Sequence, residues 1–148
     1  MRRILFGLIL GFTPWAGAAV TGTATITSDT PRIGESVRAT TIAWDADGSG
    51  NCTQWVEGVA GQVVRIYIDP GANSSAPTGV APSASYDVTL RDAYGFDALR
   101  GTGANLSATV NKSVSWPSSG EWVQSTLTLA VTNAGASGEG TIRLVTRR

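Results

Sequence analysis

The chain has 148 residues, of which 42% are hydrophobic and only 15% charged, and its formal net charge is zero. Soluble domains carry about 25% charged residues, so this glycine-, threonine- and serine-rich composition fits an extracellular or assembly-embedded β domain better than a cytosolic helical enzyme. The length suits one domain with a self-sufficient core, and with no basic tract nucleic-acid binding is not expected. Histidine is absent and Cys52 is the only cysteine. The commonest general base and the commonest neutral metal ligand are therefore both missing, and no internal disulfide or thiolate metal cluster can form. Cys52 has no histidine to activate it and reads as an inert residue near a turn. No catalytic residue and no cofactor are expected, and the chain reads as a non-enzyme.

Residues 1–19 have the order of a secretory leader: basic Arg2-Arg3, the apolar run Ile4 to Phe12, then a small-residue segment with Ala16-x-Ala18 spacing. The apolar run falls short of the roughly 20 residues that span a bilayer, so stable membrane insertion is not expected. The alternative reading is a hydrophobic N-terminal arm that packs in an assembly. Either way the folded domain is residues 20–148, and loss of Arg2 and Arg3 leaves it mildly acidic.

From Val20 on, short β-branched runs alternate with Gly, Pro, Asn and Ser, and no helical period is sustained. Val20 to Thr27 is the first expected strand, broken by Thr30-Pro31-Arg32. Ser36 to Trp44 is the second, and Cys52 to Val59 can return as its hairpin partner after the turn Asp45 to Gly50. Gly61 to Asp69 alternates, with Val64, Ile66 and Ile68 on one face and Val63, Arg65 and Tyr67 on the other. A long Gly/Ala/Ser/Pro loop then runs to about Ala84; it is either functional or a crossover between sheets. Tyr86 to Asp92 places Tyr86, Val88 and Leu90 inward. Leu106 to Val110, Ser113 to Trp116, Glu121 to Thr132 and Thr141 to Thr146 complete the set, the last two flanking a hairpin loop at Asn133 to Gly140. About eight strands at this spacing predict an all-β fold, a single antiparallel β-sandwich or jelly-roll-like domain.

Three groups of residues invite a chemical reading. Asp45-x-Asp47-x-Ser49-Gly50 matches the opening of a calcium loop. The twelfth position is Val56, however, and an Asp/Gly/Ser turn explains the same letters. Asp87, Asp92 and Asp97 are spaced five apart; paired carboxylates hydrolyse glycosidic bonds at the right separation, but this spacing better serves Asx-turns. Four tryptophans follow the leader. Trp44 is in phase with Ile42 and reads as core, whereas Trp55, Trp116 and Trp122, near turns, are candidate contact residues together with Tyr94.

The segment Tyr86 to Asn105 (YDVTLRDAYGFDALRGTGAN), with the Ile42-Ala43-Trp44 strand and the Asp69-Pro70, Pro77-Thr78 and Tyr86-Asp87 order upstream, resembles small uncharacterised virion proteins of tailed bacteriophages. The resemblance covers about residues 36–110. It implies a non-catalytic decoration, cement or tail-accessory role in the virion, homo-oligomers, and capsid or tail proteins as partners, with no catalytic residues to carry over. A cleaved leader fits this poorly, because virions assemble in the cytoplasm. The second reading is therefore a secreted or periplasmic β-sandwich module that binds surface glycans or an envelope protein. A small hydrolase is the third, with no recognised nucleophile motif behind it.

Overall fold

A computed structural model describes residues 22–31, 36–57, 59, 61–71, 80–116, 121–123 and 126–147; the leader-like segment 1–19 lies outside them. The described residues form nine strands: β1 (Thr23–Pro31), β2 (Val37–Asp45), β3 (Cys52–Glu57), β4 (Gly61–Pro70), β5 (Asp87–Arg91), β6 (Lys112–Ser115), β7 (Glu121–Val123), β8 (Thr126–Thr132) and β9 (Glu139–Arg147). A six-stranded sheet has the order β1-β2-β9-β4-β6, with β7 following β6 along β4. A three-stranded sheet has the order β3-β8-β5. Every neighbouring pair is antiparallel.

The pairing is nested about the middle of the chain. β2 pairs with β9, β3 with β8, β4 with β6 and β7, and Tyr86 bridges Leu106. From β2 onward, successive strands alternate between the sheets, save that β6 and β7 lie together. One long antiparallel hairpin folded over on itself gives this order, which is the jelly roll. The expected all-β sandwich is what forms.

Each sheet buries one face, as period-2 patterning requires. Ile42, Ile66, Ile68, Ile142 and Leu144 of the large sheet meet Val56, Val88, Leu90, Leu127, Leu129 and Val131 of the small one. Trp44 and Tyr86 join across the sandwich with ring centroids 5.8 Å apart and planes tilted by 37°, a favourable aromatic geometry. Tyr86, Val88 and Leu90 point inward and Trp44 lies in the core, as the alternation predicts.

Several boundaries differ from the expectation, for identifiable reasons. β1 continues through Thr30-Pro31, on the edge of its sheet where proline is tolerated, and is bulged between Ile26 and Ser28. In β4 the register against β9 shifts between Val63 and Arg65. This bulge brings Val63, not Val64, into the core with Ile66 and Ile68. β3 does not return beside β2 but crosses to the other sheet and pairs with β8. The expected strand Leu106 to Val110 reduces to the single bridge at Leu106. Glu121 to Thr132 is two strands, with the chain changing sheets between Val123 and Thr126. The loop after β8 also joins the two sheets, so it is no hairpin, and β9 already begins at Glu139. β4 and β5, on either side of the long segment after Asp69, belong to different sheets, and residues 72–79 of that segment lie outside the described residues.

Candidate functional site

Residues 86–105 are built around three aspartates, each accepting at least one backbone N–H group. Asp87 Oδ1 accepts from Asn105 N at 2.8 Å and Oδ2 from the Asn133 side chain at 3.1 Å. Asp92 Oδ1 accepts from Tyr94 N and Phe96 N, both at 2.9 Å, closing an Asx-turn in which Gly95 has φ +82°. Asp97 Oδ1 accepts from Leu90 N and Leu99 N, and its Oδ2 from Gly101 N at 2.9 Å. Leu99 is fully buried. A side chain at Gly103 would run into the Val88 carbonyl, while Gly103 O itself accepts from Val88 N at 2.8 Å. Asp97, Ala98, Gly103 and Leu106 thus fasten residues 97–106 along the open edge of β5 and Tyr86 before it. Asp92 and Asp97 close local turns as expected, whereas Asp87, at the start of β5, holds the distant Asn105 and Asn133 instead.

The Asp45–Ser49 segment is likewise a turn. Asp47 Oδ1 accepts from Ser49 N at 2.8 Å and Asn51 N at 3.0 Å, and Gly50 N donates to Asp47 O at 2.9 Å. Asp45 lies at the end of β2, directly across from Glu139 of β9. Its carboxyl is pushed above the usual range, chiefly by burial and then by the Glu139 charge. Among the described residues no three Asp, Glu or Cys side chains gather as a metal site would need. Cys52, at the start of β3, is buried, and its Sγ donates to Thr23 O at 3.3 Å. Burial pushes the thiol up to about 11, which keeps it in the protonated form at neutral pH.

The four candidate contact aromatics are dispersed over the sandwich. Trp55 is 66% exposed in the middle of β3, not near a turn, on the outer face of the three-stranded sheet. Tyr94, 83% exposed, stands in the Asx-turn just beyond β5 of that same sheet. Trp122, 65% exposed, belongs to β7 of the other sheet. Trp116 is half-buried against the core, its backbone N–H donating to the carbonyl of Val64 at the β4 bulge. Trp55 and Tyr94 therefore share a sheet, and Trp116 and Trp122 are elsewhere.

Around Trp55 the outer face of the small sheet is in unbroken register and rich in threonine. Across the strands Trp55 pairs with Thr128, which pairs with Arg91; the next row is Thr53, Ala130 and Thr89. Glu57 and Thr126 form the row on the other side. The outer face of the six-stranded sheet is different, because the β4 bulge and the short β6 leave it grooved. One cleft of about 260 Å³ is lined by Thr41, Tyr67, Asp69, Asn111, Thr141 and Arg143. A second of about 360 Å³ shares Tyr67 and adds Arg65, Ser115, Trp116 and Arg147. Arg65 donates to Ser115 Oγ and to the Tyr67 hydroxyl, both at 2.9 Å, and its guanidinium carbon lies 5.7 Å from the Tyr67 ring centre. Asp69 Oδ1 is buried with no hydrogen-bond partner, and burial raises its carboxyl. Burial, and then the Asp69 charge, pushes the Tyr86 phenol up to about 12. Sequence reasoning missed this groove, although the alternation that faced Arg65 and Tyr67 away from the core was its signal.

No protein-family model matches the chain, and no curated protein matches it significantly. Among solved structures it is similar to a cupin domain of Bordetella pertussis Tohama I, with a TM-score of 0.37, 11% identity, and 84% of this chain and 92% of that one covered. It is also similar to a structure described as CBM4, with a TM-score of 0.34, 14% identity, and 84% of this chain and 78% of that one covered. At these scores the two likenesses say nothing of ligand or chemistry, and the sandwich stands on its own strand pairing.

Proposed function

We propose that the protein is a non-catalytic contact domain of a tailed-phage virion, binding capsid or tail neighbours and further copies of itself. The observation that supports this best is Trp55, 66% exposed at mid-strand on an outer sheet face with its threonine neighbours only half-buried. A large aromatic in that position gains little in a lone domain and much in an interface, where Trp is a preferred anchor. The edges of the same sheet are less available for strand addition: residues 97–106 bond to β5, and Gln54 of β3 donates to Gly22 O at 2.8 Å. Contacts of this domain would therefore be made by faces more than by edges. Mass spectrometry of purified phage particles tests the reading. The chain should be present in them, and its detection only in culture fluid with an N-terminus near Val20 would overturn it.

The groove on the six-stranded sheet supports the second reading, a secreted or periplasmic glycan-binding module. An aromatic ring beside hydroxyl, amide, carboxylate and guanidinium groups is the set that sugar rings engage. Tyr67 would supply the stacking face, with Asn111, Thr141 and Arg143 the polar partners. A glycan array probed with the wild type and with Tyr67→Ala distinguishes the two readings. Binding that the variant loses supports the module.

A further inference from the structure

We propose that two copies of the chain pack the outer faces of their three-stranded sheets together about a two-fold axis parallel to β8, each Trp55 indole lying over the partner's Arg91. The inference rests on the contact-domain reading and gives it an interface. It follows from the register. Trp55, Thr128 and Arg91 form one straight row across β3, β8 and β5, with β8 in the centre. A two-fold axis running along β8 places β3 of one copy opposite β5 of the other without changing height along the strands. The two ends of the row, Trp55 and Arg91, are then superposed twice, once on each side of the axis. Face-to-face sheets lie about 10 Å apart, a gap that a Trp side chain from one sheet and an Arg side chain from the other fill together. An indole face over a guanidinium is a favourable cation–π pair.

Charge selects this axis over the other possible one. A two-fold axis perpendicular to the strands would set β5 on β5, so that Arg91 faces either its own copy or, with the axis one row along at Thr89, an Asp87 whose oxygens are already engaged. With the axis along β8, the partner's Glu57 lies one row from Arg91, about 7 Å along the strand at two residues' rise, within reach of the long side chain. Asp87, the other acid on this face, is already held by Asn105 N and the Asn133 amide. Along β8 the face offers Thr126, Thr128 and Ala130, small enough for close approach. The three-strand face alone is smaller than the roughly 800 Å² per partner of a standard interface. Tyr94 and Phe96, exposed in the turn just past Arg91, extend it. A weak dimer is expected, one that many copies on a particle would reinforce through multivalency.

Sedimentation velocity on the purified chain, over a concentration range on the order of 10–1000 µM, tests this. The wild type should move from monomer to dimer across the range. Trp55→Ala and Arg91→Glu should each weaken the dimer, by on the order of tenfold or more from the two cation–π pairs lost. Glu57→Arg should also weaken it, and Glu57→Arg combined with Arg91→Glu should recover part of the loss. Circular dichroism keeps the variants comparable, and these exposed positions should not disturb folding. A wild type that stays monomeric, a dimer indifferent to Trp55 and Arg91, or a Trp55 covered by another part of its own chain would each overturn the interface. A monomer that is nonetheless found in particles sinks the interface alone. A dimer absent from particles sinks the virion reading alone.

Discussion

The two outer faces of the sandwich are made from the same residue types and end up unlike each other. The three-stranded sheet is in unbroken register, so its outward residues line up in rows, one of which has Trp55 at one end and Arg91 at the other. The six-stranded sheet carries bulges at Ile26/Ser28 and Val63/Arg65, and its far edge is shared by two short strands, β6 and β7. Its outer face is consequently grooved, and the grooves collect Tyr67, Arg143 and the unpartnered oxygen of Asp69. Unbroken register aligns the outward side chains in rows, and the clefts lie on the sheet whose register is broken.

The sharpest way to test that contrast is to show that the inner faces are alike. Leu129 of β8 and Ile142 of β9 are both fully buried, one in each sheet. Leu129→Ala and Ile142→Ala should each cost about 2–5 kcal/mol, the range for emptying a packed aliphatic site. Urea denaturation measures both. A cost well below 1 kcal/mol at Leu129 would mean that the small sheet is only loosely docked, and its outer face would lose its rigid support.

Next in size is the tie that closes the edge of β5. Asp97→Ala removes the acceptor of three backbone N–H groups, those of Leu90, Leu99 and Gly101. Loss of such acceptors costs about 1–3 kcal/mol. Amide exchange should accelerate most in residues 97–103, with β4 and β9 much less affected. Uniform acceleration through both sheets would show that the segment is part of the global folding unit and not a local fastening.

How much of this was legible beforehand divides along the same line. Facing is a property of neighbours in sequence, so Tyr86, Val88 and Leu90 inward and Arg65 and Tyr67 outward were readable from alternation alone. Pairing is a property of distant segments, so Cys52 to Val59 reads as a hairpin partner of β2, whereas the strand that forms there, β3, has β8 as its neighbour. The Val63/Val64 inversion is a bulge, and nothing in two adjacent valines announces one. Asp92 and Asp97 were readable as turn formers because an Asx-turn is local. The groove was not assembled in advance because its walls come from β2, β4, β6 and β9, which only the nested topology brings together.

A smaller effect should appear with pH on the grooved side. Asp45 sits across from Glu139 with its carboxyl raised by burial and by that neighbour. The folded state therefore holds its proton more tightly than the unfolded chain, whose value is about 3.8. The sign follows: this group favours folding fully below that value, and the advantage is lost as pH rises through the raised folded value. At neutral pH the charged form opposes folding, so Asp45→Asn should raise the urea midpoint at pH 7 relative to the wild type. The gain should vanish near pH 3. A variant equally stabilised at both values would point to better packing instead of charge relief.

The smallest effect separates the two roles of tryptophan in this molecule. Trp44 is buried against Tyr86 and Gly140, where an added Cβ would approach its ring to 2.7 Å, whereas Trp55 stands on the surface. Trp55→Ala should change monomer stability by no more than about 0.5 kcal/mol, as at other exposed sites. The measurement must be made at a concentration where the chain is monomeric, since a dimer would add its own linkage to the apparent stability. At high concentration the same substitution should lower the melting temperature through lost association. A large monomer cost would make Trp55 a packing residue of the small sheet, and the outer face would then owe its tryptophan to folding and not to a partner.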